Sequence, residues 1–153
     1  MFLIHFTLIY NSIYLPILPR ILSIDFGLKR CGLAVTDPLQ IIVNGLTTVT
    51  QPELLDFVLD YCKENQVEKI ILGYPLQSDG TKTQVSNEIE KLQLRINALL
   101  PMVKVELYDE KKSSQEALRV IIQSGIGKKK RSSKELLDKM SAVIILQRYL
   151  GHI

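Results

Sequence analysis

Three acidic side chains, supplied by three predicted structural elements, are the residues of this sequence best suited to chemistry. Asp25 ends a strand-like apolar run, Glu110 follows the alternating run at residues 104–108, and Asp138 lies in the last helical pattern. If the first and last strands are neighbours and the last helix covers them, the three acids converge at one crevice of an α/β sheet. Converging carboxylates need a cation to stay ionised together. Oxygen ligands without His or Cys favour Mg²⁺ or Mn²⁺, which are suited to phosphodiester hydrolysis.

Each acid also has a simpler interpretation. Asp25 is followed by a turn at Gly27, and an aspartate there often caps the turn. If Asp25 is instead buried and ionised, its partner is either a divalent cation or the basic pair Lys29 and Arg30. Asp138 lies above small residues on its helix, which leaves room for a ligand, but it could equally be a solvated acid paired with Lys134.

Basic residues lie close in sequence to each of the three acids. Such clusters contact phosphates without reading base sequence, so they predict a polyanionic partner. The alternative for the longest cluster is a solvated loop, as most charge runs are. The candidate nucleic-acid contacts are Lys29 and Arg30, Lys111 and Lys112, and Lys128, Lys129, Lys130 and Arg131.

Hydrophobic periodicity predicts the elements that position these residues. Residues 21–37 form a β-hairpin and residues 41–49 a third strand; a capping box at Thr50 and Glu53 then opens a helix. Strand and helix patterns alternate afterwards, which predicts a mixed sheet with parallel members and helices on its faces. The later elements are strand 69–73, helix 84–99, strand 104–108, a helix opened by Ser113 and Glu116, and a last helix opened by Ser132 and Glu135. The residues of the last helix that are expected to face inward are Leu136, Leu137, Met140, Val143, Ile144 and Tyr149.

Length and composition fit one ordinary globular domain. The chain has 153 residues and a formal net charge of +3, which by itself decides nothing about partners. Cys31 and Cys62 lack metal or disulfide spacing, so we expect reduced thiols in the cytoplasm.

The first 19 residues differ from the rest of the chain. They are apolar and carry no Lys, Arg, Asp or Glu, but they lack the basic start and the cleavage site of a signal peptide. Asn11, Ser12 and Pro16 interrupt them as a membrane span. We therefore expect an appendage outside the fold, for which an unused upstream start is one origin, and a folded domain over residues 20–150. The alternative is an anchor for a membrane or a partner.

The motifs, taken together, resemble the YqgF/RuvX family. These small RNase H-like proteins are described as Holliday junction resolvases or pre-16S rRNA nucleases. The resemblance covers about residues 20–150 and implies an α/β RNase H-like mixed sheet, with an N-terminal antiparallel hairpin, parallel strands and helices on both faces. The segments that carry it are IDFGLKRCGLAVTDP, IILGYP with a following DG, LYDEKKSS and LLDKMSAVIILQRYL.

The resemblance also implies roles for individual residues. Asp25, Glu110 and Asp138 would be the catalytic acids and ligands of Mg²⁺ or Mn²⁺, with Asp109 as a further candidate ligand. Lys111 stands where family members usually have Arg, so it keeps the charge but loses the bidentate fork.

The expected function is that of a metal-dependent hydrolase of ester bonds in structured RNA, processing the 5′ end of pre-16S rRNA in the cytoplasm. The alternatives are a Holliday junction resolvase that acts on branched DNA and a non-catalytic factor that binds rRNA during ribosome assembly. An actin-like nucleotide-binding protein needs two lobes, and the chain is too short for them. We expect no membrane partner, and the sequence does not decide whether the protein forms a homodimer.

Overall fold

Five strands and three helices make up the described elements of the protein. A computed structural model describes residues 18–77, 79–109, 117, 119–120, 123 and 133–153. A short 3₁₀ turn, Gln51–Glu53, precedes the first helix. The strands are β1 (Arg20–Asp25), β2 (Arg30–Thr36), β3 (Val43–Thr50), β4 (Val67–Tyr74) and β5 (Lys104–Asp109); the helices are α1 (Leu54–Glu64), α2 (Gln84–Leu99) and α3 (Lys134–Tyr149).

The strands form one mixed sheet in the order β3-β2-β1-β4-β5. β1 pairs antiparallel with β2, and β2 with β3, as the predicted hairpin and third strand require. β1, β4 and β5 are parallel to one another. The first and last strands are therefore not direct neighbours, because β4 lies between them. Their carboxyl ends still lie at the same edge of the sheet, since all three strands run the same way.

Strand alternation divides the core between the two faces of the sheet. Leu22 and Ile24 of β1 pack with the buried residues Leu54 and Val58 of α1. Ile21 lies on the other face and packs with Ile71, Ile145 and Leu146. Asp25 has the same parity as Ile21, so β1 directs it to the α3 face.

Helix α2 has the bounds that its pattern predicts. Thr83 caps it by accepting a hydrogen bond from the backbone N–H of Ser86. Ile89, Leu92 and Ile96 are buried, whereas Leu99, the last residue of the helix, is 54% exposed.

Helix α3 differs from its prediction in its cap and in its buried face. Ser133, and not Ser132, is the cap: its Oγ accepts a hydrogen bond from Leu136 N at 3.4 Å. Leu136 and Met140 are only partly buried, whereas the residues from Ser141 to Leu146 are all buried. Small side chains at Ser141 and Ala142 let the helix approach the sheet closely. This approach buries the hydroxyl of Ser23, whose Oγ donates a hydrogen bond to Ala142 O at 2.8 Å.

Two residues of the predicted N-terminal appendage contact the domain. Leu18 N donates to Pro38 O at 2.9 Å, and Pro19 O accepts a hydrogen bond from Gln40 Nε2 at 2.6 Å. Residues 1–17 and the start of the helix predicted from Ser113 lie outside the described residues. No helix in the described part of the chain is long and apolar enough to cross a membrane.

Candidate functional site

Asp25 and Asp138 are the two predicted site acids that the structure brings together. Asp25 is the last residue of β1, and its backbone pairs with Gly32 of β2. Asp138 lies in the second turn of α3, close enough for its negative charge to act on Asp25. The expected convergence of acids from the first strand and the last helix is therefore present in this pair.

Gly32 allows this approach because it has no side chain on the α3 face of the sheet. A Cβ atom added at Gly32 would lie 1.9 Å from Asp138 O and 2.8 Å from Lys139 N, which are backbone atoms of α3. A glycine inside a strand often marks a place where another backbone comes close. Here the backbone of α3 lies against Gly32, which is the register partner of Asp25, and this contact brings Asp138 close to Asp25.

The surroundings of Asp25 favour its neutral form when no cation is bound. Burial raises the pKa of the Asp25 carboxyl, the negative charge of Asp138 raises it further, and a hydrogen bond from the buried Ser141 lowers it; the resulting pKa is about 7. The protein alone thus compensates the negative charge of Asp25 only in part.

Arg30 pairs with Asp138. Its Nε lies 3.1 Å from Asp138 Oδ2, and the two side chains are 33% and 25% exposed. The alternative partner predicted for Asp138, Lys134, forms no ion pair with it among the residues described. Within the ranges that the structure describes, neither Lys29 nor Arg30 forms an ion pair with Asp25, which was the alternative to a cation at that residue.

Cys31 lies beside the acids, but its thiol is unsuited to nucleophilic chemistry. Burial raises the pKa of Cys31 to about 11, and the charges of Asp25 and Asp138 add to the rise. The thiol donates a weak hydrogen bond to Gly27 O at 3.5 Å. A protonated, buried thiol leaves the carboxylates as the reactive groups of this region.

Asp109 ends β5 at the same edge of the sheet, two strands away from Asp25. Two strand spacings correspond to about 10 Å between the backbones. Asp109 lines a shallow cavity together with Tyr108, Arg148 and Ile153. The structure therefore places Asp109 at the same edge of the sheet as Asp25, two strands away from it.

The remaining predicted site residues are distributed as follows. Lys29 lies exposed in the β1–β2 turn, where its carbonyl accepts a hydrogen bond from Gln51 N at 3.0 Å. Glu110, Lys111, Lys112, Lys128, Lys129, Lys130 and Arg131 lie outside the described residues.

The donor set of the acid pair fits a hard divalent ion. Asp25 and Asp138 offer carboxylate oxygens, and the repulsion between them is the kind that a bound cation relieves. Within the described ranges no group of three or more His, Cys, Asp or Glu side chains is arranged to hold a metal. The described residues therefore include two of the three acids predicted as ligands, and the third, Glu110, lies outside them.

Three features of the site were not predicted from the sequence. Arg30 was assigned to phosphate contact, and its pairing with Asp138 was missed because the two residues are 108 positions apart. Gly32 was not assigned a role, although its place inside an apolar strand was a usable signal. Ser141 was noted only as a small residue above which a ligand could lie.

The fold belongs to the RNase H-like class, as the resemblance implied. The Thermus thermophilus RuvC structure matches with a TM-score of 0.51 and 13% sequence identity, over 86% of this chain and 96% of that one. This similarity confirms the mixed sheet with helices on both faces as the fold.

Sequence comparisons define the family. The family model described as "RuvX: Holliday junction resolvase" matches residues 19–152. A Porphyromonas gingivalis protein named "Putative pre-16S rRNA nuclease" is 46% identical over 133 residues, covering 87% of this chain and 96% of that protein. A Flavobacterium johnsoniae protein of the same name is 42% identical over 134 residues, covering 88% and 97%. The chain belongs to the RuvX family.

Proposed function

We propose that the protein is a metal-dependent nuclease that hydrolyses phosphodiester bonds in structured RNA, and that its substrate is the 5′ end of pre-16S rRNA. The observation that carries the proposal is the convergence of Asp25 and Asp138, whose mutual repulsion helps raise the pKa of Asp25 to about 7. The names of relatives at 42–46% identity support the choice of RNA.

The roles of the residues follow from their positions. Asp25 and Asp138 would hold Mg²⁺ or Mn²⁺ together with Glu110, and Asp109 is a further candidate ligand at the same edge of the sheet. The bound ion would lower the pKa of a water molecule and neutralise charge on the scissile phosphate. Ser141 orients the Asp25 carboxylate through its hydrogen bond. Lys29 and the basic residues near the other acids would contact phosphates along the substrate.

The test is cleavage of a pre-16S rRNA fragment in the presence of Mg²⁺ or Mn²⁺. We expect Asp25→Asn and Asp138→Asn to lose at least about a hundredfold in rate, since each removes a carboxylate ligand of the ion that would act on the scissile phosphate. Asp60→Asn is the matched control, because Asp60 is an exposed acid of α1 whose one ion pair among the described residues is with Lys63 at 3.0 Å. Cleavage at equal rates by wild type and Asp25→Asn would refute the assigned role.

A second candidate substrate is a four-way DNA junction. The description of the matching family model favours it. The same variants should be tested on a junction with equal arms. Faster cleavage of the junction than of the rRNA fragment would transfer the proposal to DNA, and binding of both substrates without cleavage would leave a non-catalytic assembly factor.

We also propose that the N-terminal appendage predicted at residues 1–19 is dispensable for the activity of the domain, apart from Leu18 and Pro19, whose backbones contact the domain. The family match begins at residue 19, which supports this boundary. A variant that starts at Leu18 retains the hydrogen bond to Pro38 O and is expected to cleave at the wild-type rate. The mass of the protein isolated from its native cells would show whether these residues are made.

A further inference from the structure

Two groups of opposite charge act on the Asp138 carboxylate. Asp25 repels it, and Arg30 Nε donates a hydrogen bond to its Oδ2 atom at 3.1 Å. Among the described residues, Arg30 is the one cationic side chain that forms an ion pair with either acid. The guanidinium thus supplies to Asp138 part of the compensation that a cation would supply to both.

The geometry of Arg30 leaves part of its guanidinium available. Within the described part of the chain only Nε forms a hydrogen bond, so the two terminal nitrogens are open to other acceptors there. The side chain is 33% exposed and begins β2 directly after the turn that carries Lys29. Arginine binds phosphate through two parallel N–H groups, and that geometry matches the open side of this guanidinium.

We propose that Arg30 is a positioning residue that holds Asp138 until substrate arrives, and that it couples nucleic-acid binding to divalent-cation binding. The inference rests on the proposed function, since it requires a nucleic-acid phosphate at the site. While Arg30 holds Oδ2, an incoming cation competes with the guanidinium for the same oxygen and is repelled by its charge. A phosphate on the terminal nitrogens shares that charge and weakens the hold on Asp138. Substrate then increases the affinity for the cation, and the cation increases the affinity for substrate by the same factor.

The first experiment measures Mn²⁺ binding without nucleic acid, by electron paramagnetic resonance of the free ion. We expect Arg30→Gln to bind Mn²⁺ about tenfold tighter than wild type, because one positive charge a few ångströms from the ion is removed. Arg30→Lys keeps the charge and should stay within about threefold of wild type. Lys29→Gln removes the neighbouring charge without touching Asp138, and it should also change the dissociation constant by less than about threefold.

The second experiment repeats the titration with a short RNA duplex and monitors cleavage products in the same samples. Wild type should bind Mn²⁺ severalfold tighter with the duplex present, and Arg30→Gln should gain little. This loss of coupling separates the proposal from a merely structural role, which would weaken Mn²⁺ binding in both conditions. If Arg30→Gln fails to fold, Arg30→Met retains the apolar stem and carries the same expectation.

The outcomes distinguish the inference from the function on which it rests. Equal Mn²⁺ binding by wild type and Asp25→Asn would remove the cation site and with it the proposed function. Binding that depends on Asp25 but is unchanged or weakened in Arg30→Gln would overturn the role of Arg30 alone. Tighter binding by Arg30→Gln with unchanged coupling to the duplex would overturn the link to substrate.

Discussion

Substituting Gly32 by alanine should inactivate the protein while leaving it folded. The new Cβ atom would lie 1.9 Å from Asp138 O, where an ordinary contact needs at least 3.4 Å, so the two backbones must separate by about 1.5 Å. Since Asp25 is the register partner of Gly32, this movement carries Asp138 away from Asp25. A misplacement of about 1 Å at a reacting centre can cost about a hundredfold in rate.

The expected loss of stability is smaller than the expected loss of activity. Forcing an extra methyl into a packed contact costs about 1–3 kcal/mol, which corresponds to a decrease in melting temperature of roughly 3–10 °C for a chain of this size. The assays are cleavage of the rRNA fragment and thermal unfolding followed by circular dichroism, both on the full chain.

Gly45→Ala is the matched control for Gly32→Ala. Its Cβ atom would lie 2.9 Å from Lys139 Cγ, on the same helix, but that contact is with a flexible side chain that can rotate away. We expect Gly45→Ala to retain at least about half of the wild-type rate, since α3 need not move. A folded Gly32→Ala that cleaves as fast as Gly45→Ala would refute the reasoning that close packing of α3 on β2 sets the distance between the acids.

Three further predictions concern the same helix and its acids. In EDTA, wild type should lose stability as pH rises from about 4 to about 7, because the raised pKa of Asp25 makes the folded state hold a proton that the unfolded state has released. In urea titrations, Asp25→Asn should abolish this part of the pH dependence of stability, and an unchanged dependence of stability on pH would contradict the prediction. Ser141→Ala should raise the pKa of Asp25 further, by about one unit or more, in carboxyl ¹³C titrations without metal, because a hydrogen bond that favours the charged form is lost; a lower pKa would contradict the assignment. Tyr149→Phe should lower the free energy of unfolding by about 1–2 kcal/mol, because Tyr149 Oη donates to Glu106 Oε2 at 2.9 Å and accepts from Lys69 Nζ at 2.7 Å. The cleavage rate should change less than about twofold, since this network lies at the other end of α3 from the acids.

The fold was largely predictable because its elements have clear local signals. Apolar runs mark β1 and β2, and Thr50 with Glu53 forms the predicted capping box before α1. Helix α2 has the bounds set by its hydrophobic period and the following proline. The cap of α3 was wrong by one residue because Ser132 and Ser133 are equally good caps by type, and only the tertiary position of the helix selects Ser133.

The site was less predictable because its interactions join distant parts of the chain. Asp25 and Asp138 were identified by residue type and by the family resemblance, and the pattern alone left a turn cap and a solvated acid as equal alternatives. The order of the strands, with β4 between β1 and β5, is not encoded in any local pattern. The pairing of Arg30 with Asp138 depends on where α3 crosses β2, and that crossing is set by the contact at Gly32.

The central claim is that Asp25 and Asp138 bind one divalent ion between them. A crystal soaked with Mn²⁺ and measured at a wavelength that gives an anomalous signal from manganese tests this claim most directly. We predict a peak about 2.1 Å from an oxygen of each carboxylate, with Arg30 Nε displaced from Asp138 Oδ2. Manganese bound elsewhere on the protein, with no peak between these two side chains, would contradict the account.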